Sequence, residues 1–148
     1  DETLQLLRVT KESLYKGIEM ATAGNRLGDV SHAIQAHAEL NGYSVVRELV
    51  GHGIGRHLHE KPEVPNYGKR GSGLVLREGL VIAIEPMINM GKKEVYTEED
   101  GWTVRTRDGK PSVHFEHDVC IRKDKADVLS DYGPIEKAEA LNSNLFTY

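Results

Sequence analysis

The chain has 148 residues, 39% of them apolar and 28% charged, which is enough for one compact domain with a core and too few for two comfortable ones. A net charge of −4 argues against a broad phosphate-binding surface, and a single cysteine, Cys120, excludes an internal disulfide and makes a reducing compartment the simpler expectation. No run approaches the ~18 apolar residues of a membrane span, and no basic-then-apolar leader opens the chain.

In chain order, Leu4, Leu7, Leu14, Ile18 and Ala21 fall near one face of a 3.6-residue period, predicting a helix from Thr3 to about Ala23 with Gly24-Asn25 as its stop. A helix starting directly at the first residue is an unusual opening, and the expectation is that a segment precedes it. A second helix is expected from an N-cap near Asp29, with Val30, Ala33, Ile34 and Ala38 on one face and Asn41-Gly42 at its end. Ser44-Val45-Val46 reads as a short strand, and two helices before strands argue for an α+β fold. Leu80 to Ile84 is a continuous apolar run, hence a buried strand closed by Pro86. Glu99-Asp100-Gly101 and Asp108-Gly109 mark turns on either side of a strand, Trp102 to Thr106. From Ser112 to Ile121 the residues alternate, with Val113, Phe115, His117, Val119 and Ile121 on one face and Ser112, His114, Glu116, Asp118 and Cys120 on the other. The polar tail from Asp124 is expected to end loosely.

Four features could carry chemistry. Gly51-His52-Gly53-Ile54-Gly55 gives the backbone conformational freedom and leaves His52 unshielded, as a ligand or as an ordinary turn histidine. It is not a dinucleotide fingerprint, since Arg56 stands where a glycine is needed. His57-Leu58-His59-Glu60-Lys61-Pro62 lacks the i, i+4 histidines of a zinc-protease helix and contains a helix breaker, so by itself it reads as a polar loop. Glu85 closes an apolar strand, where an unpartnered carboxylate is costly, so it is either a satisfied structural group or a metal ligand. Glu116 lies mid-strand between His114 and Asp118, on a face that is either solvated or turned to a cation. Taken together, one imidazole and two carboxylates suit a two-metal hydrolase better than a structural zinc site, which would want cysteines.

The ordered strings Gly51-His52-Gly53-Ile54-Gly55-Arg56, His59-Glu60 with Pro62, Ile84-Glu85-Pro86-Met87, Asp100-Gly101-Trp102-Thr103-Val104 and Phe115-Glu116-His117 resemble the signatures of type I methionine aminopeptidases, from about residue 4 to 130. The opening Arg8-Val9-Thr10-Lys11-Glu12-Ser13-Leu14 is similar too. Enzymes cleaving Xaa-Pro bonds share the His…Glu…Glu order, but Ile-Glu-Pro-Met and Gly-Trp-Thr-Val point to the methionine branch, and the short span from His59 to Glu85 leaves no room for a type II insertion.

The resemblance implies the C-terminal part of a pita-bread fold, two helices on a curved, mainly antiparallel sheet, with residues 1–148 as a single unit. It implies a cytoplasmic enzyme that removes the initiator methionine of nascent peptides, with the ribosome as a candidate partner and neither nucleic acid nor membrane bound. The implied cofactor is a pair of divalent ions (Co, Mn, Fe or Zn) that activate a hydroxide. His52 and Glu85 would hold one metal and Glu116 would bridge both. His59 would donate to the scissile carbonyl, and Trp102 and Leu58 would wall the methionine pocket. The family takes two further aspartate ligands and a second histidine from an upstream half, and no such aspartate pair stands in these residues. Alone, the chain is therefore expected to bind metal weakly, to be inactive, and either to self-associate through an uncovered edge or to have mobile loops around Gly51–Gly55. Leu58 stands where the family has phenylalanine, and His114 and Asp118 replace glutamine and threonine. Cys120 reads as a small core-side or strand residue, not a nucleophile. The competing reading is a metal-free binding module of the same fold that takes peptides, ribosomes or other proteins.

Overall fold

A computed structural model describes residues 1–142. It opens on helix α1 (Glu2–Met20), whose first turn is capped by the Asp1 carboxylate accepting from Thr3 N–H at 2.8 Å. The buried stripe is Leu6, Val9, Thr10, Ser13, Leu14, Gly17 and Ile18, with Leu4 and Leu7 on its half-buried flank. The stripe is thus rotated from the expected one. Thr10 and Ser13 can join it because their hydroxyls donate to Leu6 and Val9 carbonyls at 2.7 and 2.8 Å. Helix α2 (Leu27–Leu40) has its N-cap at Arg26, three residues before the expected Asp29. Asp29 sits in its first turn, where it accepts from Arg26 N–H at 2.7 Å and Gly71 N–H at 2.8 Å. Those backbone donors hold the Asp29 carboxyl below its usual pKa. The two helices cross closely at Gly17, where a Cβ would press on the Ile34 side chain.

The strands are β1 (Ser44–Val45), β2 (Gly51–Gly53), β3 (Glu60–Val64), β4 (Val81–Ile84), β5 (Met87–Asn89), β6 (Val95–Thr97), β7 (Val104–Thr106), β8 (Ser112–His114), β9 (His117–Cys120) and β10 (Asp127–Val128). They form a five-stranded sheet, β10-β9-β4-β2-β3, a three-stranded sheet, β1-β5-β8, and a separate β6-β7 hairpin, all antiparallel. This is the expected α+β architecture. Leu14, Ile18, Val30 and Ile34 pack on Val64, Ile82, Ile84, Val119 and Ile121 of the larger sheet, while Leu6 and Ala38 pack on Val45 and Ile88 of the smaller.

The ladder through the middle of both sheets differs from the single strand expected over Ser112–Ile121. Ile84 pairs with His117, Met87 pairs with His114, and the ladder is open in between. Pro86 has no N–H to donate, and only Phe115 N–H reaching the Pro86 carbonyl at 3.3 Å spans the gap. The register is the same on both sides of the gap, so Glu85 lies opposite Glu116. Of the five residues expected on one face, His117, Val119 and Ile121 are buried and Val113 and Phe115 half-buried. Cys120, on the other face, is buried too, on an interior strand with β10 on one side and β4 on the other.

Segments read as loops are strands here. Gly51–Gly53 is β2, paired with β3 across a bulge and with β4, and none of Gly51, Gly53 or Gly55 has positive φ. The glycines at 51 and 53 serve close approach instead: a Cβ would collide with the Ala83 carbonyl oxygen at one and the Lys61 carbonyl oxygen at the other. Gly51→Ala is accordingly expected to cost about 1–3 kcal/mol, read as a lower denaturant midpoint. An unchanged midpoint would show that the strands separate freely there.

The Glu99–Gly101 turn is present, with Gly101 at φ +69°. Asp100 accepts from the N–H groups of Trp102 and Thr103 at 2.9 and 2.8 Å, which keeps both in the turn and starts β7 only at Val104. The segment from Asp124 is not loose through residue 142. It adds β10 to the sheet edge and helix α3 (Gly133–Leu141), tied back by Lys11 Nζ to Glu136 at 2.5 Å and by Tyr132 stacked on His117. The remainder of that tail lies outside the described residues. No described helix is long and apolar enough to cross a membrane.

Candidate metal centre

The break in the central ladder is where the polar side chains gather. Glu85 follows the last residue of β4 and Glu116 precedes the first of β9, so the two carboxylates project from opposite positions of an antiparallel pair. Cross-strand neighbours of this kind have Cβ atoms roughly 5 Å apart, and like charges there repel. β2, beside β4, adds His52 from the next strand. One ligand atom from each of His52, Glu85 and Glu116 lies within 4.8 Å of the other two.

The donors suit a cation. His52 Nδ1 is 2.9 Å from the Gly53 carbonyl oxygen, which can only accept, so Nδ1 carries a proton and Nε2 is the nitrogen left to ligate a cation. Nε2 lies 3.5 Å from Glu85 Oε1. His114 Nε2 meets the other Glu85 oxygen at 3.2 Å. Among the described ion pairs neither carboxylate is matched by lysine or arginine. An imidazole and two carboxylates converging without a fixed cation fit a hard or borderline divalent ion.

Glu116 feels that crowding. Desolvation first, then the charges of Glu85 and Asp118, raise its pKa, with His114 and His52 pulling the other way. A carboxyl whose pKa is higher folded than unfolded binds its proton more tightly in the fold. The metal-free protein therefore loses stability as pH rises from the ordinary carboxylate value through the raised one. Glu116→Gln removes that loss. In EDTA the variant is expected to melt above wild type at pH 7 and level with it below about pH 4. The gain will be small because Glu116 is exposed. Equal melting at both pH values would show that the two carboxylates do not interact.

Of the other expected residues, His59 is exposed, but its ring stands edge-on to His52 with centroids 4.3 Å apart. Both histidines line a cavity of about 630 Å³ that also takes in Glu85, Met87, Trp102 and His114. Trp102 reaches it from the β6-β7 turn with 88% of its surface exposed. Leu58 does not line this cavity and is 70% exposed, so the expected apolar wall comes instead from Leu49, Val50, Met87 and Val104. Leu49 and Val50 carry no sequence signal, since an apolar residue before a strand reads as ordinary core, whereas Met87 and Val104 each close one of the ordered strings.

Each carboxylate also has its backbone held by a distant side chain, which no local pattern announces. Asn66, fully buried, donates from Nδ2 to the Glu85 carbonyl at 3.1 Å. Tyr132 does the same work at Glu116, accepting from its N–H at 2.9 Å and donating to its carbonyl.

The sequence profile of metallopeptidase family M24 matches residues 1–123. The chain is 54% identical over 130 residues to methionine aminopeptidase of Clostridium perfringens, covering 88% of this chain and 52% of that protein. It is 51% identical to methionine aminopeptidase 1 of Bacillus subtilis with the same coverage of each chain. The crystal structure of methionine aminopeptidase from Thermotoga maritima superposes with a TM-score of 0.85 at 50% identity, over 87% of this chain and 52% of that one. Prolidase from Pyrococcus furiosus shares the fold at 23% identity and a TM-score of 0.66, over 88% of this chain and 33% of that one. The chain spans about half the length of the curated relatives it matches. By profile, by sequence and by fold, it belongs to metallopeptidase family M24, among relatives that are methionine aminopeptidases.

Proposed function

We propose that the whole protein is a cytoplasmic metalloaminopeptidase that removes the N-terminal methionine of nascent chains, and that residues 1–148 supply His52, Glu85 and Glu116 to its two-metal site. The observation that carries this reading is the convergence of those three side chains within 4.8 Å, with Glu85 and Glu116 in register across an open ladder. A pair of divalent cations, when bound, acidifies a water and neutralises the charge that develops at the attacked carbonyl. The chain's own residues do the rest. The Gly53 carbonyl keeps His52 in the tautomer that can ligate. His59 stands at the rim to donate to the carbonyl oxygen of the substrate. Trp102 and Met87 present an aromatic face and a thioether to an unbranched, sulfur-containing side chain, a contact both favour.

Three of five ligands cannot hold two ions, so this stretch by itself is expected to bind metal weakly, to be inactive and to associate with itself. Light scattering of the isolated stretch would test the last point. The deciding experiment titrates Mn²⁺ into residues 1–148 and into the whole protein, and follows methionine release from a Met-Ala-Ser peptide. Tight two-site binding with turnover in the whole protein alone is the expected result. No binding and no turnover in either would favour a metal-free binding module.

A further inference from the structure

We propose that Tyr132 is a positioning residue for the metal site, acting through the backbone of Glu116. Where β8 ends and β9 has not begun, Glu116 stands opposite Glu85 in a non-hydrogen-bonded pair, so its N–H and C=O point away from β4, toward the outer edge, and β10 has ended at Val128 before it could take them. Its N–H and C=O are instead taken by one phenol. Tyr132 Oη accepts from Glu116 N–H at 2.9 Å and donates to the Glu116 carbonyl.

The chain leading to Tyr132 continues the same role along β9. Leu129 N–H donates to the Asp118 carbonyl at 2.8 Å. Ser130 Oγ accepts from Asp118 N–H at 3.1 Å and meets His117 Nδ1 at 2.7 Å. The Tyr132 ring stacks on His117, centroids 4.1 Å apart, and His117 is itself buried and joined to Tyr15 Oη at 3.2 Å. The phenol is thus fixed by its ring, and its hydroxyl fixes the peptide.

The need for such a clamp is electrostatic. Glu116 faces Glu85 across the open ladder, and repulsion between them would widen the gap. A peptide pinned at both N–H and C=O holds the carboxylate within reach of His52 and Glu85 before any cation arrives. Partners of this outer kind typically control metal affinity by 10–100-fold. The residue lies outside the five ordered motifs, in the tail that reads as polar and loose.

This inference rests on the metal-site reading above, and the test separates the two. In the whole protein, Mn²⁺ affinity is measured for wild type, Glu116→Gln, Tyr132→Phe and Glu136→Gln. The last breaks the Lys11 ion pair of α3 and spares the phenol. Tyr132→Phe, which keeps the ring, is expected to weaken Mn²⁺ binding by about tenfold or more while the EDTA melting temperature stays close to wild type. Glu136→Gln is expected to leave affinity unchanged. Hydrogen exchange supplies a second readout, needing no variant: the Glu116 amide of the wild type, though it lies in a strand gap, is expected to be protected. If Glu116→Gln loses a Mn²⁺ site that wild type has, yet Tyr132→Phe binds like wild type, the clamp is wrong and the metal site stands. Equal losses from Tyr132→Phe and Glu136→Gln would also overturn it, as would a freely exchanging Glu116 amide. A wild type that binds no metal ends both readings.

Discussion

In the whole protein, Glu116→Gln is expected to leave less than about 1% of wild-type turnover, with the second Mn²⁺ site lost. The argument is one of charge and geometry. Glu116 lies opposite Glu85 in an unbroken register, and each carboxylate offers two oxygens to a shared position. An amide keeps the shape but loses the charge and half of the acceptor set. Altering an outer partner of a metal ligand already costs about 10–100-fold, so replacing the ligand itself costs more. The same substitution should stabilise the metal-free fold at neutral pH, because it removes one of two facing carboxylates. Loss of function joined to gain of stability is a signature that misfolding cannot mimic. Turnover within tenfold of wild type, with two sites still titrating, would mean that Glu116 does not bridge.

His59→Ala is expected to behave differently. Turnover should fall by about 10²–10³, the usual cost of one donor to a developing oxyanion, with KM and Mn²⁺ affinity close to wild type. His59 stands outside the converging trio, and its contact with the site is the edge of its ring against His52. It is exposed, so its removal leaves no buried cavity. A matching drop in metal affinity would make it a support for His52 instead of a donor to substrate. An unchanged kcat would make it a loop histidine, the reading its polar surroundings give by themselves.

Much of the frame was legible in order along the chain. Helix α2 ends at Asn41-Gly42 as its residues announce, with Gly42 at φ +83°, because helix ends are decided by a few neighbouring residues. The buried strand at Leu80–Ile84 follows from a continuous apolar run and is in place as β4. The Glu99–Gly101 turn follows from its own side chains. The stripe of α1 was only partly legible: Thr10 and Ser13 look polar, yet each hydroxyl finds a carbonyl one turn back and can be buried. Strand β2, which holds the glycines at 51 and 53, and its neighbour β3 were missed because those glycines answer to atoms of Ala83 and Lys61, not to their own backbone angles.

What residues 1–148 determine by themselves is a set of chemical types in order: an imidazole between glycines, a carboxylate ending an apolar strand, and a second carboxylate between a phenylalanine and a histidine. Those types, with the strings around them, point to a metal-dependent peptidase before any coordinate is known. That Glu85 faces Glu116 is a tertiary fact. It depends on strand register, which couples residues far apart in sequence, and on Pro86 withholding a hydrogen bond from its partner strand. Tyr132 is the extreme case. Its role is written neither in its neighbours nor in any period, and it arises only when the last described segment folds back along the outer edge of β9 and completes two hydrogen bonds that the sheet leaves open.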